Sequence, residues 1–280
     1  MISSTKIIKL KYEGKKISCL TAYDFSTAKF LDEEGIDIIL VGDSLGQVIL
    51  GYDSTTKVTM DDMKVFTKAV VNGAKNALIV VDMPFLSYHT GIYDAVKNAG
   101  ELIRLGAGAV KIEGGSDYII DVIKALTEAG IPVMGHLGFT PQYINVIGGH
   151  YVQGKNLENT LKILEQAKKI ENAGAFSIVL EMVPDICAKY ITDNLYIPTI
   201  GIGAGKYTDG QILVINDIIG KFDGFSPKFA RKYADAKTII KESIRQYIKD
   251  VREENFPDKD ESFQLNEEEE AKFESYLQKK

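Results

Sequence analysis

Residues 77–115 read ALIVVDMPFLSYHTGIYDAVKNAGELIRLGAGAVKIEGG. The run 77–83 is rich in β-branched residues and closes on a polar group, 93–105 has the apolar spacing of an amphipathic helix, and 109–113 opens a second apolar run after Gly106. A helix that carries the chain from one strand to the next in this way makes the two strands parallel neighbours.

The same rhythm extends in both directions. Strands are expected at 17–23, 37–43, 77–83, 109–113, 132–136, 176–182, 198–202 and 211–216, with helices at 25–34, 60–73, 93–105, 117–129, 157–173 and 184–194. Gly35, Gly106, Gly130 and Gly174 stand just past helices, where a residue tolerant of left-handed backbone closes the last turn. Eight such units predict an α/β fold, a closed (β/α)8 TIM barrel rather than an open doubly wound sheet. Only the short loop 203–210 separates the last two strands. Residues 226–253 read as two extra C-terminal helices, SPKFARKY and AKTIIKESIRQYIKDVREE. The expected organisation is a single barrel domain over 1–265 and an acidic, solvated, partly helical extension over 266–280, with Glu267 to Glu270 in a row.

Composition bounds the function. The chain has 280 residues, 45% hydrophobic and 26% charged, enough to bury a large core. A net charge of −6 repels nucleic acid and anionic lipid, and no basic patch opposes it. The first residues are polar and basic without the apolar stretch of a secretory signal, and no run approaches the roughly 18 apolar residues of a membrane span. The cytoplasm is the expected location. Cys19 and Cys187 lack the paired spacing of a zinc or redox site and read as buried thiols.

In a parallel barrel the carboxyl ends of the strands converge on one mouth, where chemistry is placed. Those ends are unusually polar here: Asp43 and Ser44 after the second strand, Asp82 on the third, Lys111 and Glu113 on the fourth, His136 on the fifth, Glu181 on the sixth. A lone Asp after a strand commonly caps a helix. Asp43 and Asp82, however, follow IILVG and LIVV on neighbouring strands, and two crowded carboxylates repel unless a cation joins them. A hard cation with oxygen ligands, Mg2+, suits them, whereas zinc would want His or Cys company. Lys111 and Glu113 are two apart and share a face, either as a buried ion pair or with the Lys neutralising an anionic substrate and the Glu supporting the metal. His136 is either a satisfied core histidine or a mouth residue. Glu181, behind SIVL, is a candidate general base or the partner of a barrel lysine. GIGAG at 201–205 and IGG at 147–149 serve equally well as tight turns or as a phosphate cradle.

The strings TAYD (21–24), LVGDSLG (40–46), VKIEGG (110–115), GHLGFTPQ (135–142), VQG (152–154), LEMVP (180–184), IGIGAG (200–205) and TDGQILV (208–214) together resemble the ketopantoate hydroxymethyltransferase family over about residues 5–265. The resemblance implies a barrel enzyme of pantothenate synthesis that moves a one-carbon unit from 5,10-methylenetetrahydrofolate to 3-methyl-2-oxobutanoate. It implies Mg2+ held by Asp43 and Asp82, with Glu113 in direct or water-mediated contact, and a ketoacid bound by Asp43, Ser44, Asp82 and Lys111. It implies Glu181 as proton acceptor and a large homo-oligomer, a decamer. His136 joins the substrate set as a mouth residue without an assigned role. His89 and His150 have no evident family counterpart. A phosphonopyruvate-mutase type of barrel would need a lid bearing a catalytic Cys or Asn, and neither cysteine falls where a lid would be; a non-catalytic scaffold would have no use for so many acidic groups in one place.

Overall fold

The computed structural model describes residues 2–279 apart from 222, 223, 225 and 226. Eight parallel strands, β1 Ile17–Thr21, β2 Ile38–Val41, β3 Leu78–Asp82, β4 Ala109–Glu113, β5 Val133–Gly138, β6 Ser177–Glu181, β7 Thr199–Ile202 and β8 Gly210–Leu213, close into a barrel in sequence order. β8 pairs back onto β1 through Ile17 and Gly210. Six strands lie inside their expected spans. β5 runs two residues further, and β8 stops at Leu213 because residues 215–218 turn into a helix.

The six expected helices form within a residue of their expected bounds, as Phe25–Glu33, Met60–Gly73, Ile92–Arg104, Asp117–Glu128, Leu157–Asn172 and Asp185–Asp193. Their starts are fixed by side chains: Asp24 accepts from the Thr27 amide, and Thr59 and Asp62 bond reciprocally across the first turn of Met60–Gly73. Their ends are fixed by glycine, with φ of +78° at Gly35, +105° at Gly106, +81° at Gly130 and +96° at Gly174.

The core has two layers. One lies between the sheet and the helices and takes residues such as Ile39, Val81, Ile112 and Leu180. The other fills the barrel with Ile38, Leu78, Val80, Ala109, Met134, Val179 and Ile200. Because side chains alternate along a strand, the inward set on β3 is Leu78, Val80 and then Asp82; on β4 it is Ala109, Lys111 and Glu113. The apolar interior therefore ends, one layer higher, in charge.

A helix over Ser4–Tyr12 was not legible in the basic N-terminal stretch. It places Ile7 and Leu10 in the barrel cluster, and Lys11 donates to the Thr192 and Ile197 carbonyls and to Asp209. At the other end, Ala236–Arg252 forms the second of the two expected C-terminal helices, while the first does not form. Ser226 lies outside the described residues, and 227–235 is turn and irregular chain. There the Ala230 amide donates to the Pro227 carbonyl in a single turn, and the Tyr233 and Ala234 amides donate to the Ile218 carbonyl, so the end of that stretch lies along the turn after β8. Helix Ala236–Arg252 buries none of its residues and exposes Ile240, Ile244, Tyr247, Ile248 and Val251. Helix Glu267–Leu277 is also fully exposed. Cys19 is buried in the barrel as expected, but Cys187, on helix Asp185–Asp193, is only half-buried. Among the described residues, no helix is long and apolar enough to cross a membrane.

The entry to β3, which carries Asp82, is held by Asp32. This buried carboxylate accepts from the amides of Lys75 (2.9 Å), Asn76 (2.9 Å) and Ala77 (2.7 Å) and from Asn76 Nδ2 (3.0 Å). Burial pushes its pKa up, but those four donors outweigh burial and hold it below the ordinary range. The folded-state pKa being the lower one, this stabilisation is complete above the unfolded value of roughly 3.9 and is lost as pH falls through the folded value. Asp32→Ala should cost about 2–4 kcal/mol, because three backbone amides, that of Ala77 buried, lose a charged acceptor. Urea unfolding at pH 7 measures the loss, and the difference from the parent should shrink at the acid end of a pH series.

Candidate active site

Register brings the strand-end charges together. Asp82 on β3 stands beside Lys111 on β4, and Glu113 on β4 beside His136 on β5. Gly138, two residues beyond His136, pairs with Glu181 on β6. Asp43 lies two residues past β2, and its backbone amide donates to Asp82 Oδ2 at 3.0 Å. Asp43, Asp82, Lys111, Glu113 and His136 are all buried, none more than 4% exposed. The Glu181 side chain, at 15%, reaches toward the solvent.

Lys111 Nζ lies 3.0 Å from Asp82 Oδ1 and 3.6 Å from Glu113 Oε1. The first contact is off the hydrogen-bonding direction, so Asp82 Oδ1 is buried without a hydrogen bond. Nδ1 of His136 is 3.2 Å from Glu113 Oε1, and its Nε2 is 3.2 Å from Glu181 Oε2, also outside hydrogen-bonding geometry. The imidazole thus bridges the deepest carboxylate and the outermost one. Ser44 Oγ is 2.8 Å from the hydroxyl of buried Tyr23.

Electrostatics follow from burial and from this crowding. Burial, reinforced by the carboxylates of Asp82 and Glu113, pushes Asp43 well above the ordinary carboxylate range. Burial also raises Asp82, with Lys111 opposing it. For Glu113 burial is outweighed by His136, Lys111 and the Gln142 amide, and its pKa falls. Lys111 is raised, since Asp82, Glu113 and Asp43 outweigh burial. Burial and Lys111 push His136 down, but Glu113 and Glu181 win and lift it to about 9, so it is a cation at neutral pH.

Every site residue expected from the sequence therefore lies at or beside this mouth. The three carboxylates expected around a metal do not form a ready ligand cluster: among the described residues no group of three or more His, Cys, Asp or Glu side chains is arranged to hold an ion. Both Glu113 oxygens are engaged, Oε1 by His136 and Oε2 by the Gln142 amide at 3.0 Å. Asp43 and Asp82 are the pair able to hold a metal, with Glu113 one step removed. Sequence reasoning missed Tyr23, Tyr88 and Gln142. All three are uncharged, and their roles arise from contacts across the fold; only the presence of Tyr23 and Gln142 inside the strings TAYD and GHLGFTPQ pointed toward the mouth. Of the two glycine stretches, 201–202 belong to β7 and 203–204 bend the chain after it, where a Cβ on Gly205 would collide with Asp185; Gly148 closes a helical turn at φ +80°. His89 lies 3.1 Å from the Tyr143 hydroxyl, and the His150 ring packs on Phe139.

A cleft of about 400 Å³ adjoins the ends of β4 and β5. Its walls include Gly114, Gly138 and Tyr143, with Asn159, Lys162 and Gln166 from helix Leu157–Asn172.

A profile of the ketopantoate hydroxymethyltransferase family matches residues 1–259. The 3-methyl-2-oxobutanoate hydroxymethyltransferase of Clostridium novyi (strain NT) is 56% identical over 264 residues, covering 94% of this chain and 96% of the relative. The enzyme of the same name from Clostridium kluyveri is 55% identical over 260 residues, 92% of each chain. Among solved structures, a phosphonopyruvate hydrolase superposes with a TM-score of 0.62 at 12% identity over 99% of this chain and 97% of that one. A 2,3-dimethylmalate lyase of the PEP mutase/isocitrate lyase superfamily gives 0.60 at 14% identity over 94% and 89%. At these identities the structures speak for the fold alone.

The crowding of Asp43 yields a test. Asp43→Asn keeps the shape but removes a desolvated charge facing two others, and the metal-free protein should gain about 1–3 kcal/mol. Any rise in unfolding midpoint that Mg2+ produces in the parent should be absent from the same variant. Thermal unfolding with and without Mg2+ decides it; a lowered midpoint without metal would show that the ionised Asp43 stabilises the fold.

Proposed function

Since this chain belongs to the ketopantoate hydroxymethyltransferase family, we propose that it moves a hydroxymethyl group from 5,10-methylenetetrahydrofolate to 3-methyl-2-oxobutanoate, giving 2-dehydropantoate for pantothenate synthesis. One observation carries the reading. Four carboxylates, Asp43, Asp82, Glu113 and Glu181, crowd against only two cations, Lys111 and His136, at the barrel mouth. A divalent cation would neutralise that excess, and Asp82 Oδ1, which faces the Lys111 ammonium but accepts no hydrogen bond, offers it an oxygen. These residues fit Mg2+ held by Asp43 and Asp82, with Glu113 acting through water. Mg2+ there would polarise the ketoacid carbonyl and lower the cost of negative charge as the enolate forms.

The protein's own groups do the rest. Lys111 faces the anionic substrate with its ammonium, and Ser44, oriented by Tyr23, donates to the ketoacid carboxylate. Glu181, the least buried carboxylate, takes the C3 proton. The resulting carbon nucleophile bonds the one-carbon unit as one of its two bonds to folate nitrogen breaks; a water oxygen replaces the second nitrogen and becomes the hydroxyl, while the proton held by Glu181 and one from the water go to the two freed nitrogens. The cleft beside β4 and β5 gives the folate room to approach. His136, in contact with both Glu113 and Glu181, steadies the base before and after proton transfer. A cytoplasmic enzyme suits these small, water-soluble substrates.

Proton NMR of 3-methyl-2-oxobutanoate in D2O, with enzyme and Mg2+ but no folate, isolates the enolate step. The C3 proton signal should disappear in a metal-dependent way with the parent and persist with Glu181→Gln, which should still bind the ketoacid. Turnover by Glu181→Gln at the parent rate would remove Glu181 as the base.

The uncovered apolar face of helix Ala236–Arg252 fits burial against further copies of the chain in a homo-oligomer, a decamer. Sedimentation should show a large assembly that Ile244→Glu disrupts; a stable parent monomer at working concentration would refute it.

A further inference from the structure

We infer that Gln142 is a positioning residue for the metal and ketoacid site, fixing which oxygens of Asp43 and Glu113 face the reacting centre. The inference rests on the metal reading above and adds to it a group that carries no charge.

Gln142 is buried, 3% exposed, and every polar atom of its amide is used. Nε2 donates to Asp43 Oδ2 at 2.8 Å and to the Met83 carbonyl at 3.0 Å, while Oε1 accepts from the Tyr88 hydroxyl at 2.8 Å. The amide has one workable orientation. Turned over, its oxygen would face a carboxylate and a carbonyl, both acceptors. The backbone amide of the same residue donates to Glu113 Oε2 at 3.0 Å. One residue therefore grips two of the mouth's carboxylates, one with its side chain and one with its main chain.

The consequence is directional. With Oδ2 of Asp43 held by Gln142, and Oδ2 of Asp82 held by the Asp43 amide, it is the Oδ1 atoms that can turn toward a ligand. The Asp82 Oδ1 atom, 3.0 Å from the Lys111 ammonium, is buried without a hydrogen bond. With Oε2 of Glu113 held as well, its Oε1 stays with His136 and Lys111. Tyr88 steadies Gln142 in turn, since its hydroxyl also receives the Glu113 amide at 3.2 Å. Hydrogen-bond partners that orient metal ligands in this way commonly hold one to two orders of magnitude in affinity.

The test uses the full-length protein, with Mg2+ and 3-methyl-2-oxobutanoate as probes and no folate. Titration calorimetry should show Mg2+ binding weakened about 10- to 100-fold in Gln142→Leu. Tyr88→Phe should weaken it less. The double variant should be no weaker than Gln142→Leu alone, because Tyr88 acts through Gln142. In turnover, the Mg2+ needed for half-saturation should rise by more than the rate at saturating Mg2+ falls. Gln142→Leu affinity within twofold of the parent, or a lowered unfolding midpoint with unchanged Mg2+ affinity of the folded protein, would reduce Gln142 to a packing residue. Failure of the parent itself to bind Mg2+ would instead remove the metal reading, and this inference with it.

Discussion

The structure turns on a surplus of buried negative charge. Asp43, Asp82 and Glu113 stand together in a space that a packed apolar barrel would otherwise close, with Lys111 as the ammonium among them. Desolvation alone would protonate such a group or expel it from the interior. What keeps it is a set of rigid neighbours: the parallel register that puts Asp82 beside Lys111 and Glu113 beside His136, and the hydrogen bonds that pin one oxygen of each carboxylate. The site is electrostatically unsatisfied by construction, which is the condition under which a divalent cation gains most from entering it; without that cation an anionic ketoacid would be repelled.

A barrel suits this arrangement because its two ends are chemically independent. The apolar layers below, from Leu78 and Ala109 to Met134 and Ile200, supply the stability that the charged layer withholds, and helix Ser4–Tyr12 adds Ile7 and Leu10 to that cluster. Asp32, outside the barrel, steadies the turn into β3 and so the strand whose last residue is Asp82. Positional accuracy at the mouth is thus inherited from contacts that have no part in chemistry.

Most of the barrel and the charged part of the site were legible in the sequence because both follow from periodicity. Alternation along a strand puts Lys111 and Glu113 on one face, and a strand ending in a charged residue delivers that residue to the mouth. What escaped was set by tertiary contact. Gln142 acts on Asp43, 99 positions away, and on Tyr88, 54 positions away, through hydrogen bonds that leave no trace in spacing or charge. The N-terminal helix escaped because two buried side chains among several lysines look like solvated chain. The helix expected after 226 does not form although its residues carry a helical pattern, because at its end the Tyr233 amide, with that of Ala234 just past it, donates to the Ile218 carbonyl across the fold.

The gradient of burial across the site has a chemical meaning in the proposed reaction. Lys111 and Glu113, which hold their charge because their neighbours outweigh burial, lie deep in the site. Glu181, which must change its charge by accepting a proton and giving it up again, is the one with access to solvent. His136 lies between the two regimes. While Glu181 is ionised, the imidazolium is shared between two carboxylates; once Glu181 is protonated, Glu113 alone holds it. The cost of neutralising the base is thereby limited, because the cation it leaves behind still has a partner 3.2 Å away. A base built this way can cycle without reorganising the layer beneath it, and that separation of fixed charge from moving charge is what the order of residues along β4, β5 and β6 encodes.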